Sequence, residues 1–431
     1  MESQENNVEP SQIRKPRVGV LTRDLQDAAC YKLRLGDPLC LMSPVLEAYH
    51  FKNQADHSYE GVYPFKEDRD FVDAMDMFIV QRLFPYPEFR PLLEMIVASG
   101  KPIVYEVDDW LLDMSEQHVM YSICEPSFKG IEWLLPQCSL VTVSTEALVE
   151  KVKPYNDKVF VFHNHLATER VVEPLPHSGQ VTIGFAGTST HAKDVEMISS
   201  ALLRIYHEYA GQVKFVFWGD VPPDFVGIKD VRKVPEFVTY NEYLSELAKL
   251  KIDIGIAPLV QSEFNDYKSD IKWLEYALVG AAAVVSDVTA YAGLKDSGLA
   301  MVADNTEEGW VAGISKLIDD AALRAEQAAA ARRHVLENRL LEPRVGDLLA
   351  QYAALLPEAL KPQPLAQPGR IVTHALAEND VDGLKAYRKW VKRRQIREVH
   401  AEQLAERMMM AWKQVPVFNL ILLAPSNRLT R

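Results

Sequence analysis

The chain has 431 residues, of which 48% are hydrophobic and 25% charged, a globular composition in a chain too long for one small core. Its formal net charge of -13 argues against general nucleic-acid binding, because contact with phosphates calls for an excess of basic residues. Every apolar run is much shorter than the roughly 20 residues needed to cross a bilayer, so no membrane-spanning segment is expected.

The first 16 residues are polar and lack the apolar stretch of a secretory signal, which predicts a disordered leader and a cytoplasmic protein. Four cysteines are scattered along the chain without a CxxC pair: Cys30, Cys40, Cys124 and Cys138. A chain of this length does not need disulfide staples, so we predict reduced and mostly packed thiols.

From residue 17 onward, short β-rich runs alternate with stretches that are compatible with helices. The strand-like runs are 17–22, 77–81, 102–107, 140–144 and 159–162. Helix-compatible stretches between them include 87–99 and 145–153. This alternation predicts a parallel sheet covered by helices on both faces, and we place the first α/β domain at residues 17–175.

A segment rich in Pro, Glu and His, EPLPHSG at 173–179, interrupts the alternation and is the predicted domain boundary. The pattern then resumes with strands at 181–186, 213–218, 252–258 and 282–286, and with a helix from about 268 to 279. Helices at 321–336 and 345–356 are expected to close this second α/β domain, which we place at residues 176–360.

The remaining residues, 361–431, differ chemically from the body. Clustered prolines predict a linker, and 384–412 has the pattern of one or two basic helices. Residues 370–431 hold twelve Lys and Arg against six Asp and Glu, a net charge of +6 that leaves -19 for residues 1–369. This basic extension could lie on anionic lipid as a peripheral membrane contact, dock onto the acidic body, or lead into a further module that starts near 415–424.

A glycine and three hydroxyl residues follow the predicted strand 181–186. Gly187 allows a tight turn, and after Thr188, Ser189 and Thr190 the free amides of a helix start could hold an anion. The alternative is an ordinary Ser/Thr cap of that helix. Taken by itself, this motif leaves both interpretations open.

Charged residues at helical spacing follow a later strand. At about 100° per residue, a helix from 268 would place Lys268, Lys272 and Glu275 on one stripe and Ile271 and Leu274 on the buried one. The alternative is a solvated charge stripe. Lysines in a first helical turn oppose the helix dipole, however, and an anionic ligand would reverse that penalty. We therefore predict that both lysines face phosphate oxygens and that Glu275 accepts from ribose hydroxyls.

The run around this stripe, DIGIAPLVQSEFNDYKSDIKWLEYALVGAAAVVSD, is similar to the donor-binding region of retaining GT-B glycosyltransferases in the glycogen-synthase-like superfamily, especially bacterial polysaccharide enzymes. GKPIVYEVDDWL, VTVSTEALVEKV and IGFAGTSTHAKD look like other stretches of that group. The resemblance covers about residues 17–356. It implies an α/β fold of the GT-B type, with two Rossmann-like doubly wound domains that face a cleft, followed here by a basic helical C-terminal extension.

The resemblance implies a hexosyltransferase-like glycosyltransferase that moves a sugar from a nucleotide-sugar donor to a glycan or lipid-linked acceptor, with retention, in surface glycan biosynthesis. The first domain would lie on the acceptor side and the second would bind the donor. The implied donor-binding residues are Gly187, Thr188, Ser189, Asn265, Lys268, Ser269, Lys272 and Glu275. Lys268 and Lys272 would stabilise the leaving diphosphate, without a metal or a cofactor.

Many members of this group carry two glutamates in an E-x7-E arrangement. Glu275 matches the second glutamate, whereas Tyr267 occupies the position of the first. This departure keeps two alternatives open: a GT-B nucleotide-sugar epimerase, and a non-catalytic glycosyltransferase-like interaction subunit.

Polar residues also follow two strands of the first domain. Gln81 and Arg82 follow one, and Asp108 and Asp109 follow the other, at positions that would face the cleft. Arg82 and Asp109 are therefore candidate catalytic residues that contact the acceptor or the sugar. The alternative is that the aspartates cap the next helix and that Arg82 pairs with one of them.

Three further residues are weaker candidates. His163 and Asn164 end a strand at the domain junction, and His191 lies near the presumed phosphate site. A lone histidine in such a place is more often structural than catalytic.

Overall fold

The computed structural model describes residues 14–24, 26, 28–51, 65–176, 179–234 and 239–369. Most of the predicted leader and the basic extension from 370 onward, including the predicted helices and the further module, lie outside the described residues. The described residues form two α/β lobes within one compact unit. None of the described helices is both long and apolar enough to span a bilayer.

The first lobe is built on six parallel strands in the order β2-β1-β3-β4-β5-β6. The strands are β1 Arg17–Leu21, β2 Glu47–His50, β3 Met77–Gln81, β4 Ile103–Val107, β5 Leu140–Val143 and β6 Val159–Val161. The α-helices are α1 Ala29–Tyr31, α2 Asp37–Met42, α3 Asp68–Ala74, α4 Arg90–Ala98, α5 Tyr121–Leu134 and α6 Glu146–Val152. A π-helical turn, Lys32–Gly36, joins α1 to α2.

The second lobe has six parallel strands in the order β12-β11-β10-β7-β8-β9. The strands are β7 Val181–Ala186, β8 Val213–Trp218, β9 Val231–Val234, β10 Ile254–Ala257, β11 Ala282–Ser286 and β12 Met301–Ala303. The helices are α7 Ala192–Met197, α8 Ser199–Glu208, α9 Tyr240–Lys249, α10 Ile271–Leu278, α11 Glu307–Asp319, α12 Ala321–Asn338 and α13 Val345–Leu355. Both sheets therefore have the doubly wound α/β topology that the sequence predicted.

The central strands form where apolar residues run without a polar alternation. Every residue of β3, β4, β10 and β11 is buried, as expected for parallel strands that helices cover on both faces. The edge strand β9 is partly exposed instead. Helices pack against both faces of each sheet, so each lobe has a core on either side of its sheet.

The chain returns to the first lobe at its described end. Val345, Leu348 and Tyr352 of α13 are buried against the first sheet, beside Val18 and Ile79. This packing corrects the expectation that the helix at 345–356 closes the second domain. The boundary between residues 175 and 176 stays a prediction.

Candidate functional site

The two lobes enclose a cleft of about 770 Å³ at the carboxyl ends of their strands. In the second sheet, the strand order reverses between β7 and β10, and the loops that follow these two strands line the cleft. Crevices at such reversal points are the usual ligand sites of doubly wound sheets. The fold thus creates a binding cleft at the place where the sequence motifs lie.

The loop before α10 and the first turn of that helix each supply one cationic side chain to this cleft, Lys268 and Lys272. The predicted helix from 268 was wrong at its start, because α10 begins at Ile271 and Lys268 has extended backbone angles of φ -67° and ψ 157°. Lys268 Nζ lies 3.5 Å from Asp109 Oδ1 of the first lobe, and Lys272 Nζ lies 3.6 Å from Glu275 Oε2. The Lys268 ammonium thus reaches the first lobe, whereas the Lys272 ammonium pairs within its own helix.

Glu275 lies on α10 and is almost completely buried, with 3% of its surface exposed. Tyr243 Oη donates a hydrogen bond of 3.1 Å to its Oε2. Burial raises the pKa of Glu275, and the nearby Lys272 ammonium and the Tyr243 hydroxyl offset only part of that effect. A ligand that donates hydrogen bonds would stabilise this carboxylate further.

The start of α10 is tied to the first lobe by side-chain hydrogen bonds. Asn164 Nδ2 donates to Ser269 Oγ over 2.7 Å, and Asn164 itself accepts from Arg34 Nη1 over 3.2 Å. Asn265 Nδ2 donates to the carbonyl of Val260 over 2.8 Å, so its side chain shapes the loop. Ser269, Asn164 and Asn265 all line the cleft.

The loop after β7 forms another part of the cleft wall. A Cβ on Gly187 would lie 2.6 Å from the tip of the Phe185 ring, so a larger residue here would require that ring to shift. Thr188 and Thr190 line the cleft, and their hydroxyl oxygens are 2.7 Å apart. Ser189 begins the short 3-10 turn Ser189–His191, and its side chain lies outside the described part of the structure. Gly187 itself is not among the described residues that line the cleft.

His191 lines the cleft and is held by a buried carboxylate. Its Nδ1 lies 2.8 Å from Asp194 Oδ2, while Asp194 Oδ1 accepts from the backbone amide of Val260 over 2.8 Å. Burial lowers the pKa of His191, and the Asp194 carboxylate offsets part of this effect. A neutral, fixed imidazole thus faces the cleft.

Arg82 lies on the opposite wall, at the end of β3, in a left-handed backbone conformation with φ 41°. Its guanidinium contacts three carboxylates: Nε is 2.9 Å from Asp108, Nη1 is 3.4 Å from Asp24, and Nη2 is 3.8 Å from Asp109. The alternative that Arg82 pairs with an aspartate is thus correct, and the guanidinium contacts three of them. The capping alternative is wrong, since the described turn Leu111–Asp113 begins after Trp110 without a side-chain cap.

Asp109 is the carboxylate of this group that also meets the second lobe. Burial by itself would raise its pKa, but the Lys268 ammonium and the Arg82 guanidinium outweigh that effect and lower the pKa below its usual range. Asp109 is therefore an anion at neutral pH, enclosed by cations from both lobes.

Three residues that the sequence analysis singled out do not line the cleft. Gln81 is buried behind the wall, where it accepts from Thr22 Oγ1 over 2.6 Å. His163 lies within 3.2 Å of the Ser144 carbonyl oxygen. Tyr267 has the Lys151 ammonium 5.0 Å from its ring centre. All three are missing from the described residues that line the cleft.

Several cleft residues were not anticipated from the sequence. Asp24, Cys30, Arg34, His118 and Asp194 all line the cleft. Asp194 follows His191 by three residues, a spacing that could have suggested the pair. The others come from loops and helices distant in sequence, where no local pattern marks them. Among the described residues, no group of three or more His, Cys, Asp and Glu side chains is placed to hold a metal ion.

Residues 198–350, most of the second lobe, match the model of the family described as "Glycosyl transferase-like". The whole described body resembles sucrose-phosphate synthase from Thermosynechococcus elongatus, with a TM-score of 0.59 and 11% identity over 79% of this chain and 99% of that one. The chain therefore has the GT-B fold, and its second lobe carries the glycosyl transferase-like match.

Two other solved structures resemble this chain. HepE from Anabaena, in complex with UDP and glucose, has a TM-score of 0.55 and 13% identity, over 79% of this chain and 100% of that one. A glycosyltransferase from Rickettsia africae has a TM-score of 0.54 and 10% identity, over 79% and 98% of the two chains. At such low sequence identities, these similarities show a shared fold and do not show a shared activity. The comparison with curated proteins gave no match.

Proposed function

We propose that this chain transfers a sugar from a nucleotide-sugar donor to a glycan or lipid-linked acceptor, with retention, in surface glycan biosynthesis. The observation that carries the proposal is the meeting of two walls in one cleft. Lys268, Lys272 and Glu275 line the donor wall, and Arg82 and Asp109 line the opposite wall. HepE, whose structure holds UDP and glucose, supports a nucleotide-sugar as the donor.

The donor wall supplies what a nucleoside diphosphate requires. The ammonium groups of Lys268 and Lys272, with the free amides at the start of α10, would bind the diphosphate oxygens. The turn Gly187–Thr188–Ser189 would approach the same group, and Glu275 would accept hydrogen bonds from ribose hydroxyls. Charge that develops on the leaving diphosphate is stabilised by these fixed groups, so the mechanism requires no protein nucleophile, metal or cofactor.

The opposite wall would position the acceptor. Its hydroxyl would attack the anomeric carbon from the face on which the diphosphate leaves, which gives retention. Arg82 and Asp109 would contact the acceptor or the transferred sugar. We keep the cytoplasm as the proposed location, with a peripheral position at the inner membrane face as an option for the basic extension.

A thermal-shift panel of UDP, GDP, dTDP and CMP sugars tests donor binding. We expect one donor class to raise the melting temperature by about 3 °C or more at saturation, because a ligand that binds only the folded state stabilises it. Lys268→Ala should abolish most of that shift. Lys249→Ala is the matched control, since this lysine is 62% exposed and pairs with Glu246 on α9. An equal shift in the parent and Lys268→Ala would contradict the donor site.

Product analysis then tests the reaction. Retaining transfer predicts that nucleotide is released only when a glycan acceptor is added. It also predicts that NMR of the product shows the same anomeric configuration as in the donor. Release of nucleotide without acceptor, together with an epimerised sugar, would identify the epimerase alternative. Donor binding with neither release nor transfer over a broad acceptor panel would identify a non-catalytic subunit.

A further inference from the structure

One ion pair crosses the cleft between the donor wall and the acceptor wall. Lys268 Nζ from the second lobe lies 3.5 Å from Asp109 Oδ1 of the first lobe, and each side chain is 20% exposed. Phe264 also contacts Lys268, with the ammonium 4.7 Å from its ring centre. The cation that we assign to the diphosphate is thus paired with a protein anion.

The neighbouring carboxylates have a different partner. Asp108 and Asp24 approach the Arg82 guanidinium at 2.9 and 3.4 Å, closer than Asp109 does at 3.8 Å. Arg82 is therefore balanced mainly within its own lobe. Asp109 has its shorter ion pair with Lys268, across the cleft.

We infer that Asp109 is an internal counter-ion for Lys268, which the diphosphate of an entering donor must displace. The inference rests on the proposed function, since it assigns the diphosphate to Lys268. A carboxylate and a diphosphate cannot both lie against one ammonium group without repelling each other, so Asp109 lowers donor affinity. A single weak phosphate competes poorly with this resident anion, whereas a diphosphate that also reaches Lys272 competes well.

Displacement has a consequence for the order of binding. Once the diphosphate holds Lys268, the Asp109 carboxylate loses its cross-cleft partner while it remains on the acceptor wall. It can then accept a hydrogen bond from an acceptor or sugar hydroxyl. The donor therefore binds first and makes Asp109 available to the second substrate.

The test measures binding of UDP and of inorganic pyrophosphate, a probe that does not depend on the base, by calorimetry at constant ionic strength. Asp109→Asn keeps the shape of the side chain but removes the competing charge. We expect it to bind both probes about threefold or more tightly than the parent. In turnover, the variant should show a lower donor KM together with a lower kcat, a split that a merely structural role would not produce.

Two controls distinguish the loss of competition for Lys268 from a general effect of removing a negative charge from the cleft. Asp24→Asn removes a carboxylate from the same cleft that pairs with Arg82 rather than Lys268, and it should leave both affinities within about twofold. In a Lys268→Ala background, Asp109→Asn should give no gain, because the competition requires Lys268.

The outcomes are distinct. Unchanged or weaker binding by Asp109→Asn, or an equal gain in the Lys268→Ala background or in Asp24→Asn, would overturn the counter-ion role. If Lys268→Ala weakens binding while Asp109→Asn does nothing, the donor site stands and this inference alone fails. If Lys268→Ala binds both probes like the parent, the donor assignment fails with it.

Discussion

The buried carboxylate of Glu275 is unfavourable for folding when it is charged, but it could accept hydrogen bonds from a ligand. This carboxylate is nearly enclosed, with Tyr243 Oη as a donor at 3.1 Å and Lys272 Nζ at 3.6 Å. Burial raises its pKa, so these partners do not fully replace the water that the charged form has lost. Two ribose hydroxyls would supply further donors when a nucleotide binds.

Glu275→Gln should therefore weaken UDP binding by about tenfold, the effect of losing a hydrogen bond to a charged group. The same change should not destabilise the folded protein at neutral pH. Calorimetry on the variant and the parent measures the first effect. A nucleotide affinity equal to that of the parent would contradict the assignment of ribose binding to this carboxylate.

The pH dependence of stability follows from the direction of the shift. Because the pKa of Glu275 is higher in the folded than in the unfolded protein, its favourable contribution is complete below about pH 4 and is lost as pH rises through the raised pKa. Glu275→Gln cannot ionise there and avoids that loss. Urea unfolding should show that the stability of the variant relative to the parent increases with pH above about pH 4. A difference that is independent of pH would contradict the buried charge.

The proposed donor site lies on α10, and the start of this helix is held by residues outside it. Arg339, just after α12, forms two hydrogen bonds of 2.7 and 2.9 Å with Asp270, the residue before α10. Arg339 also donates to the carbonyl of Asn164 over 3.1 Å, and Asn164 Nδ2 donates to Ser269 Oγ over 2.7 Å. The position of the lysines thus depends on contacts from both lobes.

Breaking the Asn164–Ser269 hydrogen bond should loosen this start. Asn164→Ala and Ser269→Ala are each expected to lower the free energy of unfolding by about 1 kcal/mol and to weaken UDP binding. The double variant should lose clearly less than the sum, because both changes remove one shared interaction. Urea unfolding and calorimetry measure the cycle. Strictly additive losses would mean that this bond does not couple the lobes.

Elements with a strong local pattern were predictable from the sequence. The strands at 77–81, 181–186, 213–218 and 282–286 match the structure residue for residue, because their sequences are mostly apolar. The short strands β2, β9 and β12 were not predicted. They lie at the edges of the sheets, where partial exposure weakens the apolar pattern.

In the site, too, residues that are close in sequence were predictable and residues brought together by long-range contacts were not. Lys268, Lys272 and Glu275 were found together because they lie within eight residues, although the start of their helix was wrong. Helical periodicity cannot detect that Asp270 is held by Arg339, which is distant in sequence. Asp24 and Arg34 reach the cleft through contacts of the same long-range kind.

Over the whole described body, the lobes do not correspond to two consecutive stretches of chain. The backbone crosses between the lobes near Leu166, whose amide donates to the carbonyl of Arg339 over 2.9 Å, and Leu341 donates back to Leu166 over 3.0 Å. The helix α13 then completes the core of the first lobe. Because the first lobe is finished by the last described helix, its stability depends on residues far along the chain.

Leu348→Ala tests this dependence. Leu348 lies on α13 with 1% of its surface exposed, so the cavity should cost about 2–4 kcal/mol. Hydrogen exchange should show the loss of protection first in β1 and β3 of the first lobe, because the side chain packs in the core that they form. Leu317→Ala on α11 is the matched control, since that leucine is equally buried in the core beside β7 and β8, and its effect should appear there. If both variants lost protection in the same strands, α13 would not be part of the first lobe in energetic terms.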